Sequence, residues 1–466
     1  VISVRKKLLD DGFRQPKAFF GCHPNFSKHF GACRRDVFRN GKLDLMLGEK
    51  LTLEDLQISV HPEVYLIPRN KYFNVVDSWG DSIGIERITF PFSSTDFYVD
   101  IDYGKEKSAL LELWHTPAFI RLGRISQLGY LVPPNTYQYG EKNKVFYYLP
   151  TFPHNRYMHS WLTAILADVI LARCGFSRKE RAPFVLTAGC HDIATPAGGD
   201  SVMRIDPQNL SEEENFSYLL KKCGLDKKWK KEFNFNLKEA SSWVKGRGAM
   251  GKLLTMIDKM AYAALDCYWV GNIRPGRIRS FIKMNPLVMD AWETIQVTPD
   301  RSRFYFSDSQ KLHKLIILRA LEFQELLLDP YCRALDHTLY KEIGELYHKN
   351  IITRDDLLTL DDSWLDHILQ DYSERRKRPL SFLATPDDYL WIKFHDQKKA
   401  EEFRKKLGDR FSHSECIHPF STGLDWDTMN KKGEIVPARE AIPYERIKYL
   451  EKISKSFAGW YVYYYK

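Results

Sequence analysis

No stretch of this chain is apolar for long enough to span a bilayer. The most apolar run, 161–174, falls short of the roughly 20 residues a membrane helix needs, and Asp168 interrupts it. No membrane partner is expected. The 8 cysteines form no even, closely spaced framework, and Cys174, Cys190 and Cys267 sit in apolar surroundings. That usage fits a reducing compartment rather than a disulfide-stapled secreted domain. No secretory leader is visible, although the chain starts at Val1, and a cytoplasmic location is expected. Internal repeats and low-complexity tracts are also missing, which excludes fibrous classes. Excess charge is small: 69 Lys and Arg against 60 Asp and Glu leave +9 over 466 residues. Such a bias suits a protein that handles anions but lies far below that of a dedicated DNA-binding arm.

What is present is aromatic and apolar. Hydrophobic residues make up 44% and aromatics 14%, enough to argue against disorder and against a coiled coil. The length suggests about two to three domains of about 150 residues each. Three regions are expected: a mixed, strand-containing region over 1–105, a helical domain over 106–350 and a small α+β domain over 351–466. The fold class is mainly α.

Residues 90–92 and 97–101 read as short strands. From Leu110 to Leu128 apolar residues recur every three to four positions, which predicts amphipathic helix punctuated by Pro117. The Tyr- and Pro-rich stretch 130–152 predicts a hairpin. Helices are predicted over 158–172, 179–190, 252–270, 311–328 and 331–347, with Pro183 tolerable only in a first turn. A strand over 389–392 and a helix over 397–407 mark the tail.

Three pieces of the helical middle carry chemistry. They are His154-Asn155-Arg156-Tyr157-Met158-His159-Ser160, the pair His191-Asp192, and Asp258-Lys259 followed by Tyr262 and Asp266. An adjacent His-Asp pair at a helix end offers one nitrogen and one carboxylate oxygen to nearly the same point. It suits a divalent ion such as Mn, Fe, Zn, Ni or Co, or Mg with water in the sphere. A second His and a second Asp from other helices would complete a four-ligand set and leave positions for water and substrate. Asp258, Tyr262 and Asp266, at i, i+4 and i+8, share one helical face. A lone His-Asp dipeptide means little; order and company carry the case.

Taken together, these pieces resemble the HD-domain metal phosphohydrolases, and within them the deoxynucleoside triphosphate triphosphohydrolases. His115-Thr116-Pro117-Ala118-Phe119-Ile120-Arg121-Leu122 through Ile125, Gln127-Leu128-Gly129 is similar to the family's opening helix. The three pieces above follow in the family's order, so the resemblance covers roughly 95–335. It implies one divalent metal ion held by His159, His191, Asp192 and Asp258, with the metal lowering the pKa of a bound water. It implies that Gln127 and Asp266 meet a sugar 3′-hydroxyl, that Tyr262 packs on the deoxyribose, and that Arg156, Lys259 and Arg319 meet phosphates. Attack at the α-phosphorus would release nucleoside and inorganic triphosphate. The resemblance also implies a nucleotide substrate, an allosteric nucleotide and a homo-oligomer.

Departures are specific. After His-Asp the family continues Ile/Leu-Gly-His-x-Pro-Phe-x-His, where this chain has Ile193-Ala194-Thr195-Pro196-Ala197-Gly198-Gly199-Asp200. Both histidines are missing. Asp200 stands at the second position as a catalytic carboxylate, able to act as acid or base if burial raises its pKa. The family's later His-Glu pair is missing too, with Glu212-Glu213-Glu214 the nearest candidate. The Gly199-Asp200 pair also occurs in HD-type 5′-nucleotidases, so a nucleoside monophosphatase is the alternative. A catalytically weak nucleotide sensor is a third reading.

Other features read more plainly. Cys22, His23, His29 and Cys33 match no standard zinc spacing. The basic runs 227–231 and 375–378 read as solvated helix faces before nucleic-acid contacts. The aromatic run 460–465 is expected to be buried.

Overall fold

The computed structural model describes residues 85–89, 96–100, 108–127, 155–273, 291–323, 327, 330–376, 389–419 and 423–465. The 90–92 strand, the 130–152 hairpin, the Cys22, His23, His29 and Cys33 group, and Lys377 and Arg378 lie outside them. In the first unit, Val1–Lys105, β1 (Ile85–Thr89) pairs antiparallel with β2 (Asp96–Asp100). The second unit, Glu106–Lys466, is helical with small sheets toward its C-terminal end.

The apolar run from Leu110 breaks into α1 (Ala109–Trp114), α2 (Pro117–Ile120) and a 3-10 turn, Arg121–Arg124. Pro117 is the cause. Lacking an N–H, it starts α2 at the first helical position behind Thr116. The Thr116 hydroxyl donates to the Glu112 carbonyl at 2.7 Å and so closes α1.

Helix α3 (Arg156–Arg173) is the centre of the unit. The Asn155 side chain caps it by accepting from the Met158 N–H at 2.9 Å. The helix is buried nearly all round from Met158 to Leu171, not only on one stripe. Asp168 within it pairs with Arg181 at 2.6 Å. Helix α4 (Arg178–Cys190) packs along α3 and starts at a Ser177–Glu180 capping box. Pro183 lies in the second turn of α4, not the first. The bond it forfeits is to the Lys179 carbonyl at the exposed end of the helix, where water substitutes at little cost. Gly189 lets α1 come close, since a Cβ there would lie 2.3 Å from Leu113 Cδ1.

Short helices follow: α5 (Asp200–Met203), α6 (Pro207–Leu210), α7 (Glu212–Lys222), α8 (Leu225–Phe233) and α9 (Leu237–Val244). On α8 the Trp229 indole N–H and the Lys228 ammonium both donate to Glu112, at 2.8 and 2.5 Å, while Lys227, Lys230 and Lys231 face solvent. Helix α10 (Gly248–Ile273) packs against α3 and α9. Then come β3 (Ile295–Val297), β4 (Phe304–Phe306), α11 (Ser309–Glu322), α12 (Pro330–His348), α13 (Arg354–Thr359) and α14 (Asp362–Arg376). The tail holds β5 (Tyr389–Phe394), α15 (Gln397–Leu407), β6 (Phe411–Ile417), β7 (Asp427–Met429), β8 (Ile435–Pro437), α16 (Ala438–Ala441), α17 (Tyr444–Phe457) and β9 (Gly459–Tyr465).

Strand β7 runs parallel to β4 in a sheet of order β3-β4-β7-β8, with Phe306 opposite Thr428. The tail therefore shares a sheet with the helical region. A second sheet has the order β5-β9-β6, antiparallel on both sides. The aromatic run occupies its middle strand, and Tyr461, Val462 and Tyr463 are buried. No described helix is long and apolar enough to cross a membrane.

Tyr463 carries a stack of rings. His413 lies 4.2 Å from it, and His337 of α12 lies 3.6 Å from His413. Burial pushes the His337 imidazole down to about 4, Glu415 opposing and Lys341, Arg204 and Arg333 assisting. Burial and the neighbouring His337 push His413 down further. Against an unfolded value of about 6.5, these groups contribute stability above that pH which is lost as pH falls toward 4. The melting temperature is expected to drop across that window, and His413→Phe to reduce the drop. Identical profiles for variant and wild type would refute this.

Candidate metal centre and its cavity

The site is built at the first turn of α3, the end of α4 and the middle of α10. Residue Ser126 bridges to Asn155, and the Arg156 N–H donates to the Ile125 carbonyl at 2.8 Å. That bridge brings Gln127 beside the start of α3. His159 sits one turn into α3 and is 1% exposed. His191 terminates α4, and Asp192 follows it. The His191 Nδ1 lies 2.6 Å from the Ala188 carbonyl oxygen. A carbonyl only accepts, so Nδ1 carries a proton and Nε2 is the nitrogen turned to the centre.

His159 Nε2 and His191 Nε2 are 3.2 Å apart. Asp258 Oδ1 lies 3.0 Å from the first and 3.4 Å from the second. Asp192 offers Oδ1 at 3.2 Å from His191 Nε2 and Oδ2 at 3.5 Å from His159 Nε2. Metal–nitrogen bonds of about 2.0–2.1 Å put adjacent donors roughly 3.0–3.4 Å apart, depending on octahedral or tetrahedral geometry. The donor set fits that spacing and that chemistry. His159, His191 and Asp192 form a buried group that could hold a metal ion.

Electrostatics ties the group together. Burial works against a charged His191, but Asp192 and Asp258 outweigh it and lift the imidazolium to about 9. Burial likewise opposes the Asp258 carboxylate, yet hydrogen bonds from His159 and His191 hold it well below its usual range. Asp192 is held down by His191 and Arg156 against its own burial.

The loop after Asp192 is fastened from outside. Arg121 donates to the carbonyls of Ile193 at 2.9 Å, Thr195 at 2.8 Å and Leu360 at 2.7 Å. The Gly198 N–H donates to Asp362 at 2.8 Å, and Gly198 has φ +84, where a Cβ would meet Val202 at 2.5 Å. Glycine is required there, and it turns the chain back so that Asp200 starts α5 near Arg156.

A cavity of about 300 Å³ opens on this centre. Its walls carry Arg156, His191, Asp192, Asp200 and Glu212 from α3 to α7, then Asp258, Tyr262 and Asp266 from α10, together with Gln127 and Leu327. Of the sequence candidates, His159, Lys259 and Arg319 do not line it. Lys259 points over the Trp426 ring at 5.8 Å, with burial and Arg319 lowering its pKa. Arg319 is 2% exposed and donates through Nε and Nη2 to the Tyr262 hydroxyl at 3.3 and 2.9 Å.

Arg156 lies within reach of three carboxylates: Asp200 at 2.6 Å, Asp192 at 3.2 Å and Glu212 at 3.7 Å. Burial opposes its charge, but these three outweigh that and raise its pKa further. The Asp200 side chain is 50% exposed. Glu212 is the more buried of the two, with a side chain 14% exposed. Burial and then Asp192 push it well above the usual range, and it accepts from the Thr195 hydroxyl at 2.6 Å. Sequence reasoning singled out the 212–214 triplet only as a stand-in for a missing motif, and it missed Trp426 and Glu322 altogether. Glu322 has a signal: it stands three residues after Arg319, on the same face of α11.

The fold is shared with solved structures. One is a hypothetical protein from Aquifex aeolicus, with a TM-score of 0.56 and 17% identity over 82% of this chain and 96% of that one. Another is described as a phosphohydrolase from Bacteroides thetaiotaomicron, with a TM-score of 0.53 and 16% identity over 82% of this chain and 99% of that one. No protein-family model and no curated protein matches the chain.

Proposed function

We propose that the protein is an HD-type, metal-dependent nucleotide phosphohydrolase, with deoxynucleoside triphosphates as the leading substrate class. The convergence of two imidazole Nε2 atoms with Asp192 and Asp258 beside the cavity carries this reading. The Bacteroides neighbour, described as a phosphohydrolase, supports it.

A single divalent ion held by His159, His191, Asp192 and Asp258 would supply Lewis acidity and a nucleophile at neutral pH. The protein's own groups do the rest. Arg156 orients a phosphate beside that centre. Asp200 and Glu212, both on Arg156, are the carboxyls placed to exchange a proton with the leaving group. Tyr262, fixed by Arg319, offers a ring face for a sugar. Attack at the α-phosphorus breaks the Pα–O5′ bond and releases nucleoside and inorganic triphosphate.

One observation favours a smaller anion. Among the described residues, Arg156 is the one arginine or lysine on the cavity wall, against the carboxyls of Asp192, Asp200, Glu212, Glu213, Asp258 and Asp266. A monophosphate meets less repulsion there than a triphosphate does. Metal-loaded protein incubated with each deoxynucleoside triphosphate, ribonucleoside triphosphate and monophosphate separates the readings. Inorganic triphosphate as product is expected. Its absence, with phosphate released from monophosphates, would replace the triphosphate reading by the monophosphatase one; binding without turnover of any of them would leave a sensor.

A further inference from the structure

Asp362 opens α14, is 5% exposed and does not line the cavity. Its two oxygens serve two separate stretches of chain. Oδ2 accepts from the Ser126 N–H at 2.8 Å, and Oδ1 accepts from the Gly198 N–H at 2.8 Å. Both stretches lead to Arg156. Ile125, next to Ser126, accepts from the Arg156 N–H at 2.8 Å, and Ser126 itself bridges to Asn155, the cap of α3. Gly198 turns the chain two residues before Asp200, whose Oδ1 lies 2.6 Å from Arg156 Nη2. One carboxylate thus ties the backbone that carries Arg156 to the loop that holds its guanidinium.

Stability alone is a poor account of this group. A buried carboxylate is costly to desolvate, and a well-packed apolar side chain of similar volume often stabilises as well or better. An apolar residue cannot accept from two backbone N–H groups of two stretches at once. Nor can an amide, whose single oxygen meets one N–H and whose NH2 would face the other. The group suited to holding both is the carboxylate found there.

We propose that Asp362 is a positioning residue for phosphate binding: by anchoring Ser126 and Gly198 together it sets Arg156 against the metal centre. The inference rests on Arg156 as the phosphate-orienting group of the proposed function, and it does not depend on which nucleotide is the substrate.

The test measures binding of inorganic phosphate to the Mn²⁺-loaded protein by calorimetry, below each protein's unfolding midpoint and with metal content read alongside. Wild type is compared with Asp362→Ala, Asp362→Asn, Leu369→Ala, and Arg156→Lys with and without Asp362→Ala. Leu369, 0% exposed on the same helix and within the core beneath it, controls for lost stability. Asp362→Ala is expected to keep its metal and to bind phosphate at least about tenfold more weakly, the worth of a misplaced charge-assisted hydrogen bond. Asp362→Asn, which retains one anchor, falls between and serves alone if the Ala variant does not fold. Leu369→Ala binds as wild type does. In the Arg156→Lys background, removing Asp362 costs no more than about twofold further, because the fork it positions is gone. Wild-type affinity without the Asp362 carboxylate, loss of the metal with it, an equal loss in Leu369→Ala, or an undiminished loss beside Arg156→Lys each overturns the proposal. If the expected pattern appears but no nucleotide is turned over, the nucleotide reading falls and the role of Asp362 stands; if wild type binds no phosphate, both fall.

Discussion

Replacing Asp258 by Ala is expected to strip the metal from the protein and with it any turnover. The Asp258 carboxylate is the group that lies within 3.4 Å of both imidazole Nε2 atoms at once, and it comes from a third helix. Without it, α3 and α4 supply two nitrogens and Asp192, a set that leaves one side of the centre open to water. Loss of a partner that merely orients a ligand costs about 10- to 100-fold in metal affinity, so loss of a direct donor should exceed about 100-fold. Elemental analysis after dialysis against trace metal, alongside turnover, reads the effect. Asp258→Asn keeps one oxygen donor and should retain part of the affinity. Asp266→Ala, eight residues along the same face, should leave metal content alone. Metal content in Asp258→Ala equal to wild type would remove Asp258 from the donor set.

Much of that geometry is legible in the sequence because it is local. His191 and Asp192 are neighbours at a helix end, and Asp258, Tyr262 and Asp266 fall on one face by the helical period alone. The capping Asn155 marks where α3 begins, and so puts His159 in its first turns. What the sequence does not disclose is which groups satisfy one another across the fold. Arg156 looks like a free phosphate binder until Asp200, 44 residues on, is found on its guanidinium. Arg319 looks the same until the Tyr262 hydroxyl occupies two of its nitrogens. The β4–β7 pairing joins residues 122 apart, and no pattern in either strand announces its partner. Periodicity reports which face is buried; it is silent on which charges that burial brings together.

Arg156 shows how large that hidden part is. Its side chain is 7% exposed, and it faces Asp192 at 4% exposure and Glu212 at 14%. Removing the guanidinium leaves these carboxylates buried without their cation, a change that costs about 3–5 kcal/mol when one partner of a buried pair is deleted. Arg156→Ala is therefore expected to lose about that much stability at pH 7 by denaturant unfolding, before any substrate is added. The sign of its pH dependence follows. Without Arg156 the native carboxyls, Glu212 first, bind protons more readily than in the unfolded chain, so the native state gains ground as pH falls. The deficit of the variant should shrink on acidification. Arg156→Lys keeps a point charge but not a fork able to reach three carboxylates, and should fall between. If Arg156 served substrate alone, Arg156→Ala would unfold with the wild-type midpoint and show its effect only as a raised KM. A wild-type midpoint at pH 7 would thus refute the structural role, whereas a lower midpoint that converges on wild type in acid would place Arg156 at the junction of stability and phosphate binding.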